Sequence, residues 1–259
     1  MSDVRIGFAG DRDIAVRSLR FLVKCGVIPK LLLISDPARA THASELLSLC
    51  PSLPDGSVMI GGQFRERFSI DYLKALDLDY LICVHFPYLV PSNVLDVPKI
   101  GVVNLHPAYL PYNRGWHTPT WAILDGTPYG ATLHFMDESI DTGDIILQRQ
   151  VAVTEADTAN SLYQRVKEVE YQVFCEAWPL LESRQPPRIP QSPDNGTVHT
   201  RRDLFVPEVQ QIQLGATTTA EQLLRRLRAL TTNDLREAAF FDSGNRRFRV
   251  QVSIHEEPT

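Results

Sequence analysis

Short apolar runs alternate along the chain with amphipathic stretches. Val4 to Ala9 crowd together as a strand, Gly10 and the polar Asp11, Arg12 and Asp13 break the run, and "IAVRSLRFLVKCG" takes up helical spacing with a glycine stop. "VIPKLLLIS" follows as a second strand, and a β-α-β order with so short a spacing favours a parallel sheet with right-handed crossover. Between Asp36 and Gln63 the pattern weakens to a short helix, "THASELLSLC", and a brief third strand, "SVMIGG". "IDYLKALDLDYLICVHF" repeats the passage from helix to strand, with Tyr80 to Val84 buried, and "IGVVNLH" supplies the next strand. The sum is an α/β fold with an open, doubly wound, mostly parallel twisted sheet, whose ligands sit beyond the carboxyl ends of its strands.

The second half reads differently. "TPTWAILDG" makes a short helix, and "YGATLHFMDESIDTGDIILQRQVAV" alternates apolar with polar on both sides of a polar tip, which predicts two strands joined by the loop from Asp137 to Asp144. "TANSLYQRVKEVEYQVFCEAWPLLESR" is a long amphipathic helix opened by Thr158, with Leu162, Val166, Val169, Val173 and Trp178 near one face. The proline-rich segment Gln185 to Asn195 reads as a linker. Beyond it, "TTTAEQLLRRLRALT" predicts a helix and "AAFFDSGNRRFRVQVSI" a hairpin turning at "DSGN". Residues 1–187 are therefore expected to form one domain and 188–259 a small C-terminal α+β subdomain.

Composition narrows the function. A net charge of −5 argues against a chain whose main business is gripping a phosphate backbone. Cys25, Cys50, Cys83 and Cys175 are far apart with no CxxC pair, so neither a zinc site nor a disulfide framework is implied, and they read as reduced thiols. No apolar run reaches the ~18 residues of a spanning helix. "MSDVRIGFAG" runs from a charged start straight into a strand, unlike a signal peptide, so the expected location is the cytoplasm, away from membrane and nucleic acid.

Polar residues at the end of one buried strand carry the chemistry. In "GVVNLHPAYLPYNRGWH", Asn104 and His106 are two apart on a strand and so share a side, and Pro107 and Pro111 forbid regular continuation. A donor amide beside an imidazole suits acyl chemistry, where charge builds on a carbonyl oxygen as a nucleophile adds. A nearby carboxylate would orient the imidazole and favour its protonated form. Asp141, in "DESIDTGDI", is the candidate, with Gly143 expected to let the backbone turn sharply. Taken singly, Asn104 reads as a strand-end turn former, His106 as a loop histidine and Asp141 as a turn aspartate. Together, beside a proline-braced loop at the carboxyl end of the sheet, they describe a site.

"NLHPAYLPYNRG" followed by "SIDTGDI" resembles the signature of the formyltransferases that use 10-formyltetrahydrofolate, over about residues 1 to 183. The resemblance implies a Rossmann-like formyltransferase fold with Asn104, His106 and Asp141 as catalytic trio. It implies attack of a substrate amine on the formyl carbon, His106 and Asn104 stabilising the oxyanion and Asp141 holding His106 and helping to take a proton, with no metal. It also implies that the pterin lies against the backbone of His85, Phe86, Pro87 and Tyr88 and of the loop holding Asp137, Ile140 and Asp141. Phe86 reads equally well as core.

Three branches of that family compete for the acceptor amine. The glycinamide ribonucleotide branch binds phosphate with a glycine- and serine-rich first loop, whereas this loop is "AGDRDIAV". The methionyl-tRNA branch has a larger, basic C-terminal barrel, whereas residues 188–259 hold ten Lys/Arg against nine Asp/Glu and are too short and too neutral for a tRNA grip. The length and the segments "HTRRDLF" and "RLRALTTND" are similar to the third branch, which formylates nucleotide-linked amino sugars for surface polysaccharides, dTDP- or UDP-4-amino-deoxysugars among them. Arg12 and Arg114 are then candidates for the pyrophosphate and Tyr109 and Trp116 for the sugar or base, each with an equal structural reading as solvated arginine or loop packing. A formyltetrahydrofolate hydrolase and a non-catalytic folate-binding module are the alternatives of another class. The apolar hairpin of the tail leads us to expect a homodimer formed through the C-terminal part.

Overall fold

A computed structural model describes residues 3–38, 40–192 and 195–257. Met1 and Ser2 of the opening stretch, and Pro193 and Asp194 of the proline-rich segment, lie outside the described residues. The elements run β1 (Ile6–Gly10), α1 (Arg12–Lys24), β2 (Leu31–Ile34), α2 (Ala43–Ser48), β3 (Val58–Ile60), α3 (Arg67–Ala75), β4 (Tyr80–Val84), α4 (Ser92–Leu95), β5 (Gly101–His106) and β6 (Arg114–Gly115). They continue as α5 (Thr118–Asp125), β7 (Tyr129–Phe135), β8 (Ile145–Val151), α6 (Ala159–Glu182), β9 (Val198–His199), α7 (Pro207–Gln210), α8 (Ala220–Ala229), β10 (Ala239–Ser243) and β11 (Arg246–Val250). Among the described residues no helix is long and apolar enough to cross a membrane.

The chain divides into two compact units that do not follow its order. The first comprises Met1–His106, Thr132–Gln148 and Glu170–Gln191, the second Pro107–Ala131, Arg149–Val169 and Ser192–Thr259. Among the described residues, a seven-stranded sheet in the order β3-β2-β1-β4-β5-β7-β8 is built in the first unit, apart from the opening residues of β7 and the closing ones of β8. β1, β2, β3, β4 and β5 pair in parallel and β5 pairs with β7 antiparallel, so the sheet is doubly wound with an antiparallel edge. β1 and β4 are neighbours although the chain leaves β1 towards β2, which puts the reversal of strand order, and hence the expected ligand crevice, at their carboxyl ends.

Alternation within the strands builds two faces. Ala9, Leu33, Leu81 and Val102 point into one cluster with Phe64, Leu73 and Val94, each almost fully buried and contributing about 1.5–3 kcal/mol for the larger side chains. α1 buries Ile14, Leu19 and Leu22, and its Phe21 meets Tyr171 and Phe174 of α6 edge-on at 6.5 and 6.2 Å. α1 begins at Arg12, two residues before its first apolar position, because the Asp11 side chain caps it by accepting from Arg12 N at 2.8 Å. The polar break read in the sequence is thus a cap and a first turn.

In the second unit, the short strands β6 and β9 pair in parallel, and the Trp121 and His199 rings stack at 3.8 Å. α8 starts with a reciprocal capping box between Thr219 and Gln222. β10 and β11 form the expected hairpin: Ser243 pairs with Arg246, leaving Gly244, at φ +58°, and Asn245 as a two-residue turn. Leu204, Leu227, Leu230 and Ala239 form its small core.

Candidate active site

β5 ends at the carboxyl edge of the sheet on Asn104 and His106, and its antiparallel partner β7 sets Asn104 directly opposite His134. The loop between β7 and β8 brings Asp141 to the same place. Its carboxylate lies 3.6 Å from His106 Nε2 through Oδ2 and 3.5 Å from His134 Nε2 through Oδ1. Both are ion-pair distances longer than a hydrogen bond, as is common in a catalytic site before substrate tightens it. The side chains are 8% exposed for His106, 13% for Asp141 and fully buried for His134, so charge here acts with little solvent screening.

His134 was not singled out in the sequence, yet its ring is held by its neighbours. Its Nδ1 lies 2.6 Å from the Phe135 carbonyl oxygen, which can only accept, so Nδ1 carries a proton, and the tautomer with its lone pair on Nε2 is the one that accepts from Asn104. The Asn104 amide nitrogen lies 3.4 Å from both His134 Nε2 and Asp141 Oδ1, and donates its two hydrogens to these two acceptors. That orients the amide with its nitrogen toward the carboxylate. The available signal was a histidine inside a strand that is otherwise continuously buried.

The loop bends at Gly143, as the sequence suggests, and turns at Asp141 as well. Asp141, not Gly143, takes the left-handed conformation, at φ +53°. Gly143 is needed because a Cβ there would stand 2.1 Å from the Phe135 carbonyl oxygen. Asp137 braces the turn through Oδ1, which accepts from Ser139 N at 3.0 Å and from Thr142 Oγ1 at 2.6 Å, while Ile140 is left 44% exposed at its crest.

At the end of β4, His85 also adopts a left-handed conformation, at φ +50°, and its Nε2 lies 2.7 Å from Oε1 of the fully buried Glu170 on α6. A bend at that residue turns the segment from Phe86 to Tyr88 away from the strand axis. Phe86 packs against Phe64 at 5.5 Å and Tyr88 at 5.1 Å, so its ring is partly core, and Pro87 is exposed. Glu170, 85 residues from its partner, was invisible to sequence reasoning.

Arg12 is exposed, at φ +67°, on the first turn of α1. Beside it, the Asp11 carboxylate accepts from Thr41 N and Thr41 Oγ1, both at 3.0 Å, as well as from Arg12 N. Burial would raise the Asp11 carboxyl, but these donors outweigh it and hold the group below the ordinary carboxylate range. Tyr109, Arg114 and Trp116 belong to the second unit. There Tyr109 and Arg114 are half-buried, and Trp116 is 40% exposed with the Arg201 guanidinium 5.4 Å from its ring centroid. The adjacent His117 faces Glu237 at 3.4 Å, and burial pushes its imidazole below the usual value against the pull of that carboxylate.

The chain is similar to known proteins. The family model described as "Formyl transferase" matches residues 61–178, and "N-formyltransferase dimerization C-terminal domain" matches residues 206–256. The chain is similar to dTDP-4-amino-4,6-dideoxyglucose formyltransferase from Mycobacterium tuberculosis, 32% identical over 180 residues that cover 69% of this chain and 74% of that one. It is also similar to methionyl-tRNA formyltransferase from Syntrophus aciditrophicus, 30% identical over 200 residues covering 74% of this chain and 63% of the other. The fold matches the X-ray structure of a sugar N-formyltransferase from a Shewanella species with a TM-score of 0.82 at 21% identity, over 98% of this chain and 99% of that one.

Proposed function

Because the chain belongs to the formyltransferase family, we propose that it moves a formyl group from 10-formyltetrahydrofolate to the amino group of a nucleotide-linked amino-deoxysugar. A dTDP-4-amino-4,6-dideoxyhexose is the acceptor we assign, with surface polysaccharide synthesis in the cytoplasm as the setting. The observation that carries the reading is the convergence of Asn104, His106 and Asp141, with His134 behind them, at the carboxyl half of β5, where β7 runs past it antiparallel.

The proposed mechanism uses these groups in turn. The amine attacks the formyl carbon, and charge gathers on the formyl oxygen. Collapse of this tetrahedral adduct breaks the bond from the formyl carbon to the folate nitrogen, which takes up a proton in place of the one the attacking amine loses and leaves as tetrahydrofolate. A protonated His106 and the Asn104 amide donate to that oxygen, in a setting where preorganised donors act most strongly. Asn104 can redirect one N–H from its present acceptors, while the other keeps it anchored. Asp141 neutralises the His106 imidazolium and accepts the proton leaving the amine, directly or through water. His134 holds the Asn104 amide through the lone pair on Nε2. For the folate, the turn at His85 and the crest of the 137–141 loop offer backbone groups and the exposed Ile140 side chain to a flat ring. In the first unit Arg12 is proposed as a contact for the pyrophosphate; in the second, Arg114 is proposed as a pyrophosphate contact and Tyr109 and Trp116 as contacts for the sugar or base.

Glycinamide ribonucleotide is disfavoured by Asp11. Its carboxylate already takes the first-turn N–H of α1, where a phosphate would otherwise be held, and adds a negative charge. The likeness to a methionyl-tRNA formyltransferase favours tRNA as the second reading, against which stands the near-neutral balance of residues 188–259. The match to a dimerization domain, and the exposed Leu214, Leu224 and Leu235, support a homodimer through the C-terminal part. Mass spectrometry of dTDP- and UDP-linked amino sugars, glycinamide ribonucleotide and charged initiator tRNA, each incubated with formylfolate and the protein, tests the assignment. Formyl transfer to a nucleotide sugar alone supports it, and transfer to tRNA alone replaces it with the second reading.

A further inference from the structure

The proline-rich segment read as a linker is docked on the first unit as far as Gln191. Ile189 pairs with Ile145 at the start of β8 in both directions, its N–H donating to the Ile145 carbonyl at 3.0 Å and its carbonyl accepting from Ile145 N at 2.8 Å. Arg188 lays its guanidinium 3.5 Å from the Phe135 ring centroid and donates to the Ile100 carbonyl at 2.8 Å. These contacts deliver the Gln191 side chain to the loop that carries Asp141. Its amide nitrogen donates to the carbonyl of Asp141 at 2.9 Å and to that of Gly143 at 2.7 Å.

We propose that Gln191 is a positioning residue for Asp141: one carboxamide, with two hydrogens on one nitrogen, ties two loop carbonyls and so holds the aspartate in its left-handed conformation with the carboxylate aimed between His106 and His134. This rests on the functional reading above and deepens it. An aspartate at φ +53° persists where its surroundings over-determine it, and these two bonds hold its own carbonyl and that of the backbone two residues on. The chemistry of the side chain is specific. Glutamate of the same shape has no donor when ionised and would face two carbonyl oxygens, and alanine reaches neither. Gln191 is also the last residue of the first unit, so the strap that fixes the loop leads directly into Ser192 of the second.

The test uses the full chain with Gln191→Glu and Gln191→Ala, and has two readouts. Hydrogen–deuterium exchange followed by mass spectrometry reports the loop itself, whatever the substrate: peptides spanning residues 137–145 should exchange at least about 10-fold faster in both variants, with the β1 to β4 peptides unchanged. Steady-state kinetics reports the chemistry: kcat should fall by about 10-fold or more, with KM for both substrates within about 3-fold of wild type, as expected when an aligned group is displaced without loss of binding. In an Asp141→Asn background the same change should cost almost nothing further, because Gln191 acts through that carboxylate. Unchanged loop exchange, wild-type kcat in Gln191→Glu, a loss carried wholly by KM, or a loss that adds in full to that of Asp141→Asn would each overturn the proposal. A wild-type protein that formylates no amine in the screen removes the functional reading instead, and the exchange data then still decide whether the strap holds the loop.

Discussion

Asp141→Asn keeps the shape of the side chain and removes its charge, so it isolates the electrostatic part of the account. At 3.6 Å from His106 Nε2, a carboxylate attracts an imidazolium by about 5 kcal/mol at an effective dielectric near 20. The pair is little exposed, so solvent screens it weakly, but desolvating both groups offsets roughly half of the attraction. A net loss of about 2–3 kcal/mol remains, which is on the order of 100-fold in rate at about 1.4 kcal/mol per decade. The assay is kcat and KM for the nucleotide amino sugar, with release of tetrahydrofolate as the signal and circular dichroism as the check on folding. The loss should sit in kcat, since the imidazolium is most demanded as the oxyanion forms. A folded Asp141→Asn protein within 10-fold of wild-type kcat would show that the carboxylate does not act on His106 during the reaction.

Other outcomes follow from particular contacts. Gly143→Ala should lower the melting temperature and most of the activity together, because its Cβ would meet the Phe135 carbonyl at 2.1 Å and force the 141–143 backbone to move, an overpacking cost of about 1–3 kcal/mol. Wild-type stability there would contradict the close approach. Thiol labelling of the native protein at mildly alkaline pH should modify the exposed Cys25 first, since burial pushes Cys50 up to about 11 and Cys83 up to about 12, away from the reactive thiolate. Labelling of Cys83 as fast as Cys25 without unfolding would contradict that burial. Light scattering at micromolar concentration should give the mass of a dimer, and a monomer would remove the assignment made for the C-terminal part.

Much of the fold was legible because it is written in local periodicity. β4 and β5 are buried runs bounded by polar turns, α6 shows its apolar face, and the β10–β11 hairpin announces its turn with Gly244. Asn104 and His106 were legible for the same reason: a strand that ends on an amide and an imidazole breaks its own pattern. What the sequence hid depends on contacts between distant positions. His134 acquires its role from the β5–β7 register, Glu170 meets His85 across 85 residues, and Gln191 reaches back 50 residues to the Asp141 carbonyl. The backbone does bend at Gly143, but the sequence could not show the close approach by the Phe135 carbonyl of β7 that excludes a Cβ there. The linker reading followed proline content, which reports the lack of helix and strand but says nothing of docking, and within that segment Arg188, Ile189 and Gln191 are docked on the first unit.

The most direct test of the central claim is transfer itself, followed by mass spectrometry with dTDP-4-amino-4,6-dideoxyglucose and 10-formyltetrahydrofolate, for the wild-type protein beside a folded His106→Ala variant. The account predicts that the sugar nucleotide gains one formyl group with the wild-type protein and that the variant is slower by about 100-fold or more. Equal formylation by the two proteins would contradict it.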